Sequence, residues 1–162
     1  MKAHDLIHGG LYLIGNSQIV RFNALNGCFY TLDDDFFGNP FEKADSGEIE
    51  CFTINKNWLK ISPIPLTPEI LEKNGFDPET FLTAEWEKKV YFREFPGCVV
   101  EPDDTGYTFG TIRYWNKQAT DGSPEDWGTM YESRIKGLHH VHELQRALRC
   151  CGLNELADGF KV

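Results

Sequence analysis

Apolar positions in this chain fall in short clusters rather than long runs. "LYLIG" (Leu11–Gly15), "SQIVRFNAL" (Ser17–Leu25) and "CFYTL" (Cys28–Leu32) are rich in β-branched and aromatic side chains. Such residues suit a pleated, half-buried surface and predict antiparallel strands. Asn26–Gly27 separates the second cluster from the third, and a pair that tolerates positive φ predicts a tight hairpin turn. Residues 33–48, "DDDFFGNPFEKADSGE", collect Gly, Pro, Asn and Asp and read as a long loop. "IECFTI" (Ile49–Ile54) and "NKNWLKI" (Asn55–Ile61) then resume the strand pattern. Strands this short predict an SH3-like barrel or a curled β roll over residues 1–62.

The next stretch, "SPIPLTPEILEKNGF" (Ser62–Phe76), is dense in punctuation. Pro63, Pro65 and Pro68 hold the residues before them extended. Thr67 is a good N-cap, and Pro68 occupies the first helical position, where its missing N–H costs nothing. Gly75 supplies the left-handed residue after the helix, and Phe76 can fold back on Leu71. A short helix near 68–74 follows.

Residues 77–135 carry four further strand candidates: "EWEKKVYFREF" (Glu85–Phe95), "GCVVE" (Gly97–Glu101), "YTFGTIRYW" (Tyr107–Trp115) and "TMYESRI" (Thr129–Ile135). "PDDTG" (Pro102–Gly106) is a turn by composition. Trp86, Trp115 and Trp127 read as core or sheet-face residues, the usual place for large aromatics. From Leu138 to Cys151 the period changes. At about 100° per residue, Leu138, Val141, Leu144, Leu148 and Cys151 form one apolar stripe, the mark of an amphipathic helix docked on a core. Gly152 supplies its stop. The predicted fold class is therefore α+β, antiparallel and β-rich, with a terminal amphipathic helix near 138–151. The chain reads as a single domain, 1–162: a β-rich part to residue 62, a Pro-rich connector with its helix over 63–76, and a β region with terminal helix over 77–162.

With 162 residues, 41% of them hydrophobic and 14% aromatic, the chain has the material for a packed core. No apolar run approaches the length of a membrane span. The N-terminal stretch meets Asp5 and two glycines before any long apolar segment, unlike a secretory signal. Five cysteines, an odd number without regular spacing or a CxxC pair, argue against a disulfide framework and against a zinc ribbon. The expected location is the cytoplasm, with reduced thiols. A net charge of −9 repels phosphate backbones at long range. Only the C-terminal segment, where bases balance acids, offers a basic face.

The candidate chemistry lies in "GLHHVHELQRALRCCGL" (Gly137–Leu153). On the predicted helix His139, His142, Glu143, Arg146 and Arg149 share the face opposite the apolar stripe, and His140 falls at its border. His139, His142 and Glu143 offer three donors to a metal, but Arg146 sits among them and would repel a cation. "HELQR" also puts Arg146 where HExxH requires its second histidine. Asp33–Asp35 lacks the alternate spacing of a calcium loop. There is no GxSxG, no Walker A and no GxGxxG. No catalytic, cofactor or metal residue is therefore assigned, and no cofactor is implied.

Three stretches carry a resemblance: "MKAHDLIHGGLYL", "ISPIPLTPEILEKNGF" and "HHVHELQRAL". They are similar, in kind and order, to segments of a group of small proteins encoded by phages and integrated elements of gut bacteria. Members open on M-K-x-x-[DE]-L-x-x-G-x-Y/L, carry PIPLTxxxLxxxGF and close on VHxLQ. This chain departs after "LQ", where "RCCGLNELADGF" replaces an aromatic-rich tail. The resemblance implies accessory cargo of a mobile element and supplies no catalytic residue.

The functional expectation is a non-enzymatic interaction protein of a phage or mobile element, with another protein as partner and the surface His139, His142, Arg146 and Arg149 as its contact. Two alternatives come from other classes. One is a metal-assisted hydrolase built on His139, His142 and Glu143. The other is a nucleic-acid-binding module using the terminal helix with Trp115 or Tyr114, which the acidic remainder disfavours.

Overall fold

The computed structural model describes all residues except 1–4, 16, 44, 45, 47, 83–86, 94–96 and 118–125, and for 81–82, 87–88, 112–117 and 126–132 it describes the backbone alone. The chain is α+β and predominantly antiparallel β. It divides into two compact units, one of Met1–Pro65, His140–Arg149 and Asn154–Gly159, the other of Leu66–His139, Cys150–Leu153 and Phe160–Val162.

The first unit is built on a closed barrel of six strands: β1 (Leu11–Ile14), β2 (Gln18–Asn23), β3 (Cys28–Tyr30), β4 (Phe36–Glu42), β5 (Ile49–Thr53) and β6 (Trp58–Pro63). Each strand pairs antiparallel with the next, and β1 closes on β6 through Tyr12↔Pro63, Leu13↔Ser62 and Ile14↔Ile61. Period-2 alternation sends Tyr12, Ile14, Val20, Phe22, Phe29, Ile49, Cys51 and Ile61 inward as one buried cluster. The β2–β3 connection differs from the tight hairpin expected. It spans residues 24–27, and Gly27, at φ +67°, is its one left-handed residue.

The larger difference is β4, which occupies the middle of the stretch that reads as a loop. Gly38 is not punctuation there. A Cβ on it would lie 2.4 Å from the Phe52 carbonyl oxygen and 2.7 Å from Cys51 Sγ, so glycine is what lets β4 pass this close to β5. Pro40, paired with Cys51, was likewise misleading. The acidic run Asp33–Asp35 lies in the turn before β4, with Asp34 at φ +65° and the Asp35 amide donating to Thr31 Oγ1.

The second unit holds helix α1 (Pro68–Lys73) and a five-stranded meander in the order β11-β10-β9-β8-β7. Its strands are β7 (Asp77–Leu82), β8 (Glu87–Arg93), β9 (Cys98–Asp103), β10 (Gly106–Lys117) and β11 (Asp126–Leu138). Four of them match the expected segments; β7 is additional. Helix α1 follows its sequence signals. Thr67 Oγ1 accepts from the Ile70 amide, Gly75 takes φ +73°, and the Phe76 and Gly75 amides donate to Leu71 and Glu72. Leu71 and Phe76 are both fully buried. The turn at "PDDTG" is held by Asp103, whose carboxylate accepts from the Thr105 amide, the Thr105 hydroxyl and the Thr108 hydroxyl. Those donors pull its pKa down to about 2. Asn74, buried next to α1, ties down the chain end, with Nδ2 donating to Ile70 O and Lys161 O and Oδ1 accepting from Lys161 N.

Trp86 lies outside the described residues, as do the side chains of Tyr114, Trp115 and Trp127. Among the described residues no helix is long and apolar enough to cross a membrane. All five cysteines are free thiols, and burial pushes Cys51 and Cys98 up to about 12.

Candidate functional site

Helix α2 runs from Val141 to Cys150, three residues later at its start than the periodicity suggests. Leu138 is buried as the last residue of β11, and His139 and His140 precede the helix. The delay has a backbone cause. The Leu66 amide donates to His139 O and the Val141 amide to Ile64 O, with Pro65 bridged to His140. Residues 139–140 are thus held in an extended pairing that helical geometry would break. His140 then caps the helix. Its amide donates to Glu143 Oε2 at 2.9 Å, and its Nδ1 lies 3.3 Å from Glu143 Oε1. This is the back-reaching half of a capping box.

The buried face of α2 is wider than the predicted stripe: Val141, His142, Leu144, Gln145, Ala147 and Leu148 are all enclosed. His142, only 6% exposed, lies with its ring centroid 5.1 Å from that of Tyr12 and 5.6 Å from that of His140. Its Nδ1 has no hydrogen-bond partner among the described residues. Burial pushes the His142 pKa below its usual value of 6.5, the neighbouring His140 adds to the shift, and Glu143 and Asp5 oppose it. A cavity of about 270 Å³ opens here, lined by Asp5, His140, His142, Glu143 and Arg146 around Ile7 and Pro63.

The four residues expected to form one contact surface are thus placed differently from one another. His142 is buried over Tyr12 and Arg146 is exposed at the cavity edge. Arg149 donates from Nη2 to Asp158 Oδ1 of α3 (Asn154–Asp158) at 2.7 Å. His139 is exposed and belongs with β11 beside Gly106, where a Cβ would meet its ring. His139 is not part of the cavity lining that His142 and Glu143 share. Among the described residues no three His, Cys, Asp or Glu side chains gather around a point that could hold a metal.

The buried neutral imidazole has a measurable consequence. Its folded-state pKa is depressed, so above the unfolded value of 6.5 both states are neutral and no stability is lost. As the pH falls below 6.5 the unfolded chain takes up a proton that the folded chain resists, and stability declines. The urea midpoint is expected to fall between pH 7 and pH 5.5, before most carboxylates titrate. His142→Phe, which keeps a ring against Tyr12, should flatten that part of the profile. An unchanged slope would show that His142 is not its source.

A second feature carries no histidine and was not visible in the sequence pattern. On the outer face of β4, β5 and β6, Phe41 and Trp58 are 48% and 55% exposed. They pack with Phe52, which pairs directly with Trp58 across β5 and β6. Ring centroids stand 5.2 Å apart for Phe41–Trp58, 4.9 Å for Phe52–Trp58 and 6.4 Å for Phe41–Phe52, with interplanar angles of 72°, 47° and 86°. The inward neighbours Cys51, Thr53 and Ile61 are buried, so alternation leaves these rings no place but outside. A cavity of about 450 Å³ lies against them, lined by Phe41, Glu42, Lys43, Glu50 and Trp58. Lys43 Nζ contacts Glu50 Oε1 at 2.5 Å, and Glu50 and Glu48 raise the pKa of Lys43. The signal that could have revealed this face was the aromatic pair Phe52 and Trp58 at outward register positions. Reading it required knowing that residues 36–42 form the neighbouring strand.

No protein-family model matches this chain, and no curated protein or solved structure matches it. The class of protein that can be stated is therefore structural: a small antiparallel barrel joined in one chain to an antiparallel meander with short helices.

Proposed function

We propose that this protein is a non-enzymatic binding protein whose partner is another protein, docked on the aromatic face of the barrel. The observation that carries the reading is the cluster of Phe41, Phe52 and Trp58, two of its rings about half exposed. Exposed large aromatics gathered on one patch supply contact area at small entropic cost, and such residues dominate binding energy where interfaces have been dissected. An accessory role in a phage or mobile element, in the cytoplasm, is part of the same proposal and fits the resemblance drawn from its three sequence landmarks. The metal-assisted alternative is not favoured, since among the described residues no three His, Cys, Asp or Glu side chains gather where a metal ion could be held.

The test compares immobilised full-length protein with its Trp58→Ala and Phe41→Ala variants in host lysate. One protein should be retained saturably by the parent and lost, by about tenfold or more in affinity, with either variant. Circular dichroism should stay unchanged, because both side chains stand outside the core. Equal retention by parent and variants would remove the aromatic face from consideration.

A further inference from the structure

We infer that the first unit binds a neutral carbohydrate, one or two sugar rings long, in a polar cavity on the outer face of β2 and β3. The inference goes beyond the aromatic docking face. The two sites share no lining residue, and either can fail without the other.

Strand alternation supplies the first three groups. Val20, Phe22 and Phe29 point into the barrel, so Arg21, Asn23 and Tyr30 project outward, with Arg21 directly opposite Tyr30 across the two strands. His8 from the segment before β1, Asp34 from the turn before β4 and Asp158 of α3 join them around a cavity of about 480 Å³. All six residues belong to the first unit, and the volume is within the range of small-molecule sites.

The lining is held by bonds that leave hydrogen-bonding positions open. His8 Nδ1 accepts from the Ala24 amide at 3.2 Å, which puts the proton of the neutral ring on Nε2. Asn23 Oδ1 accepts from the Leu25 amide, and the Tyr30 hydroxyl oxygen accepts from Asn26 Nδ2. Asn23 thus keeps its amino group, and Tyr30 its hydroxyl proton, to donate. Arg21 Nη1 stands 3.7 Å from Asp34 Oδ1, an ion pair too long to be a hydrogen bond. Asp158 gives Oδ1 to Arg149 Nη2 at 2.7 Å and keeps Oδ2.

These groups select a ligand by elimination. A simple anion meets Asp34 and Asp158 on a chain whose net charge is −9. A simple cation meets Arg21 and Arg149, which already balance those two carboxylates. An apolar ligand would strip water from Arg21, His8, Asn23, Tyr30 and both acids and give nothing back. A nucleobase gains most from rings that stack on its face, and the ring beside Tyr30, that of Phe36, crosses it at 81° instead of forming a slot. A sugar meets all four conditions. It carries no charge, and each hydroxyl both donates and accepts. The open donors and acceptors come from separate stretches of chain, which suits hydroxyls set around a ring and not along one edge of a base. Its C–H face has the Tyr30 ring to pack against. Every hydroxyl gives up water on binding, so the net gain per bond is small and the affinity is expected in the millimolar range.

The experiment is titration of the isotope-labelled full chain, followed by backbone amide resonances. The probes are glucose, galactose, N-acetylglucosamine and the α- and β-linked glucose dimers, with adenosine and inorganic phosphate for comparison. At least one sugar should shift the amides of Arg21, Asn23 and Tyr30 saturably. Tyr30→Ala and Arg21→Ala should each weaken that binding by about tenfold, and Trp58→Ala should leave it unchanged. Asp34→Asn changes a side chain that is 80% exposed, so the fold is not at risk. It should weaken the sugar and let phosphate bind, because Arg21 then lacks its counter-charge. Saturation by none of the sugars would overturn the inference, as would sugar shifts that Tyr30→Ala and Asp34→Asn both leave intact. Phosphate or adenosine bound by the parent more tightly than every sugar would overturn it too, in favour of an anion or a nucleoside site.

Discussion

Replacing Gln145 with leucine is expected to lower the unfolding free energy by about 3 kcal/mol, an unusual loss for an exchange of similar volume in a short helix. Gln145 is 1% exposed, and its amide group serves three parts of the backbone. Oε1 accepts from the Leu11 amide at 3.0 Å, while Nε2 donates to Ala157 O at 2.8 Å and to Gly9 O at 3.3 Å. One carboxamide therefore fastens the start of β1, the glycine pair before it and helix α3 to α2. Leucine fills nearly the same space but leaves an N–H and two carbonyls without partners, each costing about 1–3 kcal/mol when buried. Relaxation and water entry keep the total below the simple sum. Glutamate should be worse, because it keeps the acceptor, abolishes both donors and buries a charge. Urea denaturation at pH 7.5 should show a lower midpoint with an unchanged slope. Arg146→Leu, one residue along and exposed, should stay within about 0.5 kcal/mol of the parent. A Gln145→Leu midpoint equal to that of Arg146→Leu would mean the three bonds contribute nothing net.

This dependence on Gln145 marks the boundary of what the sequence discloses. Local signals were legible where their partners are local. Thr67, Pro68 and Gly75 define α1 because capping and the left-handed stop involve neighbours a few residues away. Asp103 organises its turn in the same way through Thr105 and Thr108. The helical period around Val141, Leu144 and Leu148 was also readable, and all three are buried. The sequence reading places His142 on the solvent face because polar residues on a helix usually lie there, and gives Gln145 no place, yet both are enclosed. The groups that draw Gln145 inward lie 134 and 136 positions away, at Leu11 and Gly9. No window of sequence contains that information. Strand β4 was hidden for a related reason. Gly38 and Pro40 resemble loop residues until β5 is brought alongside, when the absent Cβ of Gly38 becomes the condition for pairing. With β4 unread, the outward register of Phe41, Phe52 and Trp58 could not be assembled either.

Tyr12→Ala is expected to cost about 3–5 kcal/mol, because it empties the place where three separate stretches of chain meet. The Tyr12 ring is fully buried, edge-on to Phe29 at 6.1 Å inside the barrel and tilted against His142 of α2 at 5.1 Å. Its hydroxyl accepts from the Ile7 amide at 2.9 Å and donates to Asp5 O at 3.0 Å, holding the segment before β1 in place. The two contributions can be separated. Tyr12→Phe keeps the packing and removes only the hydroxyl, so it should cost about 1 kcal/mol. A second readout distinguishes the hydroxyl from mere volume. Burial raises the phenol pKa well above its ordinary value. Folded-state ionisation is therefore resisted, and the stability this confers is intact below pH 10 and declines as the pH rises beyond it, where the unfolded chain gives up its proton. Parent protein should lose stability between pH 10 and pH 11 more steeply than Tyr12→Phe, measured by urea midpoint at each pH. Parallel profiles would show that the phenol ionises as freely in the folded chain as in the unfolded one. The burial assigned to Tyr12, and with it the seat of His142 and the helix above, would then be wrong.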